Sequence, residues 1–151
     1  MRKWTVLFVG LVLAMSASLA AGEKDDKAKE DKQKIQGAWK LMSFEIAGKG
    51  DDDTKDENRE LIIEGDKISV KNDGKEIEKD SFTIDPAKKP KAIDFITLSD
   101  NDKDKKRPGI YELDGDNLKI CIDEKGEKRP TAFATKEGDG LVLVVLKRVK
   151  K

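Results

Sequence analysis

Two arginine–proline pairs, Arg107-Pro108 and Arg129-Pro130, each stand just before a segment that carries an aromatic residue, Tyr111 or Phe133. A guanidinium can clamp a carboxylate or phosphate through two parallel hydrogen bonds. Two of them beside aromatics could hold an anionic head group at a binding-site rim. The plainer reading is proline at a strand start and arginine paired with surface acids. Asp100-Asn101-Asp102-Lys103-Asp104 has the opening spacing of a calcium loop. Such a loop needs Gly at its sixth position for a sharp turn and Glu at its twelfth for a bidentate carboxylate. Lys105 and Tyr111 stand there instead, and Lys103, Lys105 and Lys106 would repel a cation. Asp51-Asp52-Asp53 offers fewer ligands still. Both stretches are expected to be solvated loops.

The composition excludes whole classes of chemistry. The 151 residues include no histidine and one cysteine. A His-liganded metal site, a Ser-His-Asp triad and a Cys-His dyad are therefore impossible, as is an internal disulfide. Cys121, with no histidine to activate it, is expected to be a buried or half-buried spectator thiol, with an intermolecular disulfide as the alternative. Lys+Arg and Asp+Glu both number 31, so the balanced charge exerts no general pull on nucleic acid. Nothing singles out two of those acids as a glycosidase-type pair. An enzyme would need a cleft holding carboxylates of perturbed pKa. The expectation is a non-enzyme with no metal and no cofactor.

The elements that must position these residues read as strands. Short apolar runs at 37–47, 60–64, 67–72, 75–84, 91–98, 109–113, 117–123, 132–136 and 140–149 are separated by turn residues. Ile68 and Val70 alternate with Lys67, Ser69 and Lys71; Ile77 sits between Glu76 and Glu78; Leu118, Ile120 and Ile122 alternate with Lys119, Cys121 and Asp123. Period-two alternation predicts strands with one buried face. Gly65-Asp66, Asn72-Asp73-Gly74 and Asp114-Gly115-Asp116-Asn117 tolerate the positive φ of tight hairpins. Short connections impose antiparallel neighbours, and a long meander closes best into a barrel. The predicted fold is all-β, an antiparallel meander barrel of about eight to ten strands. Residues 48–59 and 99–108 read as loops at its ends.

The amino terminus reads as an address. Arg2 and Lys3, an apolar run from Trp4 to Met15, and the small residues Ser16 to Ala21 have the order of a secretory signal peptide. The apolar run is shorter than a membrane span requires. Cleavage is expected after Ala20, with Ala21 as the near alternative. The expected organisation is a signal peptide over 1–20, a charged flexible leader over 21–32 with helical character near 31–36, and a barrel domain over 33–149. The protein is then exported, to the periplasm or beyond, with no transmembrane span after cleavage.

Gly37-Ala38-Trp39 at the start of the first strand resembles the Gly-x-Trp signature of lipocalin-like barrels. That resemblance implies a tryptophan packed at the closed end beneath an arginine from a late strand. Arg148 is the matching candidate, with Lys147 behind it. A longer ordered set is similar to a family of small secreted domains found mainly in planctomycete bacteria. It comprises Ile35 to Lys40, Asp85 to Asp94, Gly109 to Asp116, Leu118 to Cys121, Arg129 to Thr131 with Phe133, and Leu143 to Arg148. Ala38 and Ala132 depart from it, where Thr or Ser, and Glu, are expected. The resemblance implies a lipocalin-like barrel and supplies no catalytic residue.

The functional question is then whether the barrel is filled. An eight-stranded interior is just wide enough to be packed by side chains or to hold one small ligand. An open barrel makes the protein a carrier of a small apolar or amphipathic molecule, with Phe44, Phe95, Tyr111 and Phe133 in contact and Arg107 and Arg129 at the rim. A filled barrel makes it a structural or protein-interaction domain of the cell envelope.

Overall fold

A computed structural model describes residues 18–50 and 58–151. Helix α1 (Ser18–Lys34) leads into β1 (Gly37–Ile46), β2 (Lys49–Gly50), β3 (Arg59–Glu64), β4 (Lys67–Asn72), β5 (Lys75–Asp85), β6 (Ala92–Thr97), β7 (Lys106–Asp114), β8 (Asn117–Asp123) and β9 (Leu141–Arg148). β1 and the strands from β3 onward each pair antiparallel with the next, and β9 returns to β1. The result is a closed eight-strand antiparallel barrel. β2 is a two-residue spur folded back on the end of β1.

Local chemistry places most of these elements. In the β4–β5 turn, Asp73 and Gly74 both take positive φ between the paired Asn72 and Lys75, as a tight two-residue hairpin requires. Gly109 is needed for close approach: a Cβ there would lie 2.7 Å from the Cys121 carbonyl oxygen on the neighbouring strand. Two bulges re-phase the alternation, at Met42 in β1 and at Ile77 in β5. One inserted residue turns every later side chain to the opposite face.

The second bulge corrects the reading of β5. Ile77, expected inside, is 55% exposed, whereas Glu78 pairs with inward-facing Val70 and Asp80 is buried. The 132–136 run is also not a strand. β8 and β9 pair directly with each other from Asn117–Lys147 to Asp123–Leu141, which leaves no edge for a strand between them. Residues 124–140 instead lie across the outer face. There the Ala134 backbone hydrogen-bonds the buried Cys121 and Arg129 reaches the Ile93 and Gly109 carbonyls.

Asp123 ties this flap down. Its carboxylate accepts backbone N–H bonds from Lys125 at 2.9 Å, Glu127 at 2.9 Å and Lys128 at 2.7 Å. Burial works to raise the Asp123 carboxyl, but these three donors outweigh it and hold the group below its ordinary range.

The leader is helical. Residues 22–30 of α1 are largely exposed and charged, but Asp31 and the following Ile35 are buried against the barrel. Positions 1–17 of the expected signal peptide and Asp51-Asp52-Asp53 lie outside the described residues. The expected cut after Ala20 falls within α1.

Candidate ligand-binding cavity

The barrel has two unlike ends. The base, where α1 arrives and β9 finishes, is sealed. Trp39 is fully buried there and its Nε1 donates to the Ile35 carbonyl at 2.9 Å. The Arg148 guanidinium stacks on the Trp39 ring, 4.2 Å from its centroid. Arg148 Nη1 donates to the Gln36 carbonyl at 2.8 Å and Nη2 donates to the Lys34 carbonyl. A cation thus meets the negative end of α1. The Tyr111 hydroxyl donates to Asp31 Oδ2 at 2.7 Å, and the Lys91 ammonium reaches the same oxygen at 2.7 Å. Burial, then the Asp31 carboxylate, pushes the Tyr111 hydroxyl far up, so it stays a neutral donor.

The opposite end is open. A cavity of about 580 Å³ occupies the mouth half. Phe44, Leu61, Val70, Phe95, Ile120 and Val144 contribute its apolar wall. β1, β3, β4, β6, β8 and β9 present these side chains on their inward phase. Within the wall, three carboxylates converge on one guanidinium. Arg107 Nη2 donates to Glu78 at 2.8 Å and to Asp80, while Nη1 donates to both Glu124 oxygens at 3.0 and 3.2 Å. The guanidinium carbon lies 6.0 Å from the Phe95 ring centroid, across the β6–β7 ladder.

This cluster is buried and unbalanced. Asp80 is 3% exposed and Arg107 8% exposed. Asp80 Oδ1 and Arg107 Nε are both buried without a hydrogen-bond partner. Burial pushes the Asp80 carboxyl up to about 6; Glu78 adds to this and Arg107 opposes it. Burial also works against the Arg107 charge, but the Asp80, Glu124 and Glu78 carboxylates outweigh it and keep the guanidinium charged. The rest of the lining adds two acids, Glu60 and Asp102, and two bases, Arg59 and Lys105. Among the described lining residues the surplus of acid therefore remains that of the central cluster.

Of the six residues expected to touch a ligand, the structure brings three together: Phe44, Phe95 and Arg107 line the cavity. Arg107 stands inside β7, in an ion network within the barrel, where a rim position or surface pairing was expected. The other three lie elsewhere. Tyr111 plugs the base. Arg129 is on the outer face, where Nη1 donates to the Gly109 carbonyl at 2.7 Å and Nη2 pairs with Asp94 at 2.7 Å. Phe133 is on the outer flap, with the Lys119 ammonium 5.5 Å from its ring centroid. Trp39 and Arg148 stand together as the resemblance implied. The sequence reading missed Glu78, Asp80 and Glu124. A signal existed for two of them: Glu78 and Asp80 share the period-two phase of Phe82 and Ile84.

An acid held protonated up to a pH near 6 in an apolar cavity is what a general acid needs. Here its Oδ2 is committed to Arg107, and the neighbouring Glu78 is committed to the same nitrogen. The cluster is arranged to hold charge.

Comparison with family models, with curated proteins and with solved structures gives no match. Among the described residues no helix is long and apolar enough to cross a membrane, and no group of three or more side chains could hold a metal ion.

Proposed function

We propose that this chain is an exported, non-enzymatic binding module whose barrel carries a small apolar or amphipathic molecule. The observation that carries this reading is the open half of the barrel. Its volume of about 580 Å³ falls within the roughly 300–1,000 Å³ of small-molecule sites, and its apolar wall with a few convergent polar groups is their usual composition. The sealed base supports the same reading, because a carrier needs one closed end. The Trp39–Arg148 stack supports kinship with lipocalin-like barrels. The basic head and short apolar run at residues 2–15 support export.

A titration with the neutral fluorescent probe N-phenyl-1-naphthylamine tests the carrier reading. The expected result is saturable one-to-one binding with a negative heat-capacity change, the mark of apolar burial. Folded protein that leaves the probe unbound would overturn it. A second reading, a domain that docks an envelope protein at the mouth, draws on the exposed rim residues Ile46, Ile77 and Leu98. Under that reading the rim variant Ile77→Ser loses the partner, whereas probe binding inside the barrel is absent from the outset.

A further inference from the structure

The charges inside the cavity specify the polar end of its occupant, granted the carrier reading above. Glu78, Asp80 and Glu124 converge on one guanidinium, so three negative charges face a single positive one. Carboxylates already occupy both terminal nitrogens of Arg107, and the one donor left, the buried Nε–H, cannot make the two parallel bonds of an anion clamp. Asp80 lines the cavity almost wholly buried, and its Oδ1 lacks a donor. The Glu78 and Glu124 side chains are each 42% exposed and present the surplus charge to the open space. A buried acceptor without a donor is costly, and so is uncompensated charge in an apolar enclosure. An ammonium group relieves both. A carboxylate head relieves neither: it brings a fourth like charge and no proton to donate.

We infer that the cavity takes a cationic amphiphile, an amine whose ammonium head docks among Glu78, Asp80 and Glu124 while its aliphatic or aromatic tail lies on the apolar wall beside Phe95 and Val144. The site selects against fatty-acid anions of the same length. This reverses the expectation from the sequence that arginines at the rim would hold an anionic head.

The test is competition against bound N-phenyl-1-naphthylamine at pH 7.5 by dodecylamine, dodecanol and dodecanoate, which share one tail, each below its micellar concentration. Dodecylamine is expected to displace the probe at roughly one-tenth the concentration of dodecanol, with dodecanoate weakest. Glu78→Gln and Asp80→Asn are each expected to shrink the ratio of amine to dodecanol affinity severalfold. The partly exposed Glu78 serves as the variant least demanding of the fold. Dodecanoate equal to or better than dodecylamine overturns the inference, as does an amine advantage that survives in both folded variants. In either case the probe still binds and the carrier reading stands. A probe that does not bind wild-type protein overturns both together.

Discussion

Asp80 makes the stability of the fold depend on pH. Its carboxyl is pushed up to about 6 by burial and by Glu78, whereas an ordinary carboxyl in the unfolded chain titrates near ~3.9. The folded state therefore holds this proton more tightly. Its stabilising contribution is present below the unfolded value and is lost as pH rises toward about 6. Urea midpoints of wild type and Asp80→Asn between pH 4 and 7.5 are expected to show wild type losing ground across that window; parallel curves would contradict the assignment. Binding of an amine follows the same group in the opposite sense and weakens as pH falls below about 6. The groups facing Asp80 are Glu78 on its own strand, Ile68 of β4, Thr97 of β6, Arg107 of β7 and Glu124 beyond β8. Single residues were unevenly legible. Phe44 and Phe95 could be read as interior from their apolar runs. Asp80 could be read only from the phase of Phe82 and Ile84 and against that of Ile77, whose outward turn depends on a bulge that the pattern does not announce.

Two elements outside the sheet are held by side chains whose loss can be measured. Arg148 stacks on Trp39 and donates to the Lys34 carbonyl at the end of α1 and to the Gln36 carbonyl just beyond it. Arg148→Ala is expected to cost about 2 kcal/mol from the lost stacking and the unpaired carbonyls. Lys147→Ala, at an exposed neighbouring position, is expected to stay within ~0.5 kcal/mol. Equal effects in thermal melts would remove the seal from the account. The flap over 124–140 depends on Asp123. Burial raises the Cys121 thiol pKa and the flap covers it, so native protein should react slowly with a thiol reagent. Asp123→Ala frees three backbone donors and is expected to speed that reaction at least ~10-fold, through local opening rather than global unfolding. The sheet elements were legible because alternation and turn residues are local signals. The 132–136 segment was not, because whether an apolar run becomes a strand depends on a free edge, and the β8–β9 pairing removes it. The α1 docking was hidden for a like reason: among the described residues of that segment Asp31 and Ile35 are the buried ones, in a stretch made mostly of charged residues.

At the scale of the molecule, closure of eight strands leaves an interior that side chains can fill or leave open. The sequence states the closure through its strand count and short turns. It does not state the occupancy, which depends on how the inward residues of different strands divide between base and mouth. Trp39, Tyr111 and Leu118 gather at the base, and the smaller Val70, Val142 and Val144 stand toward the mouth with the acidic cluster. The most direct test of the open cavity is to fill it. Val144→Trp places a large ring where the wall has a half-buried valine. Wild type is expected to bind N-phenyl-1-naphthylamine one-to-one, and this variant to stay folded and bind it at least ~10-fold more weakly, a loss of about 1.4 kcal/mol. Unchanged probe affinity in a folded Val144→Trp protein would contradict it.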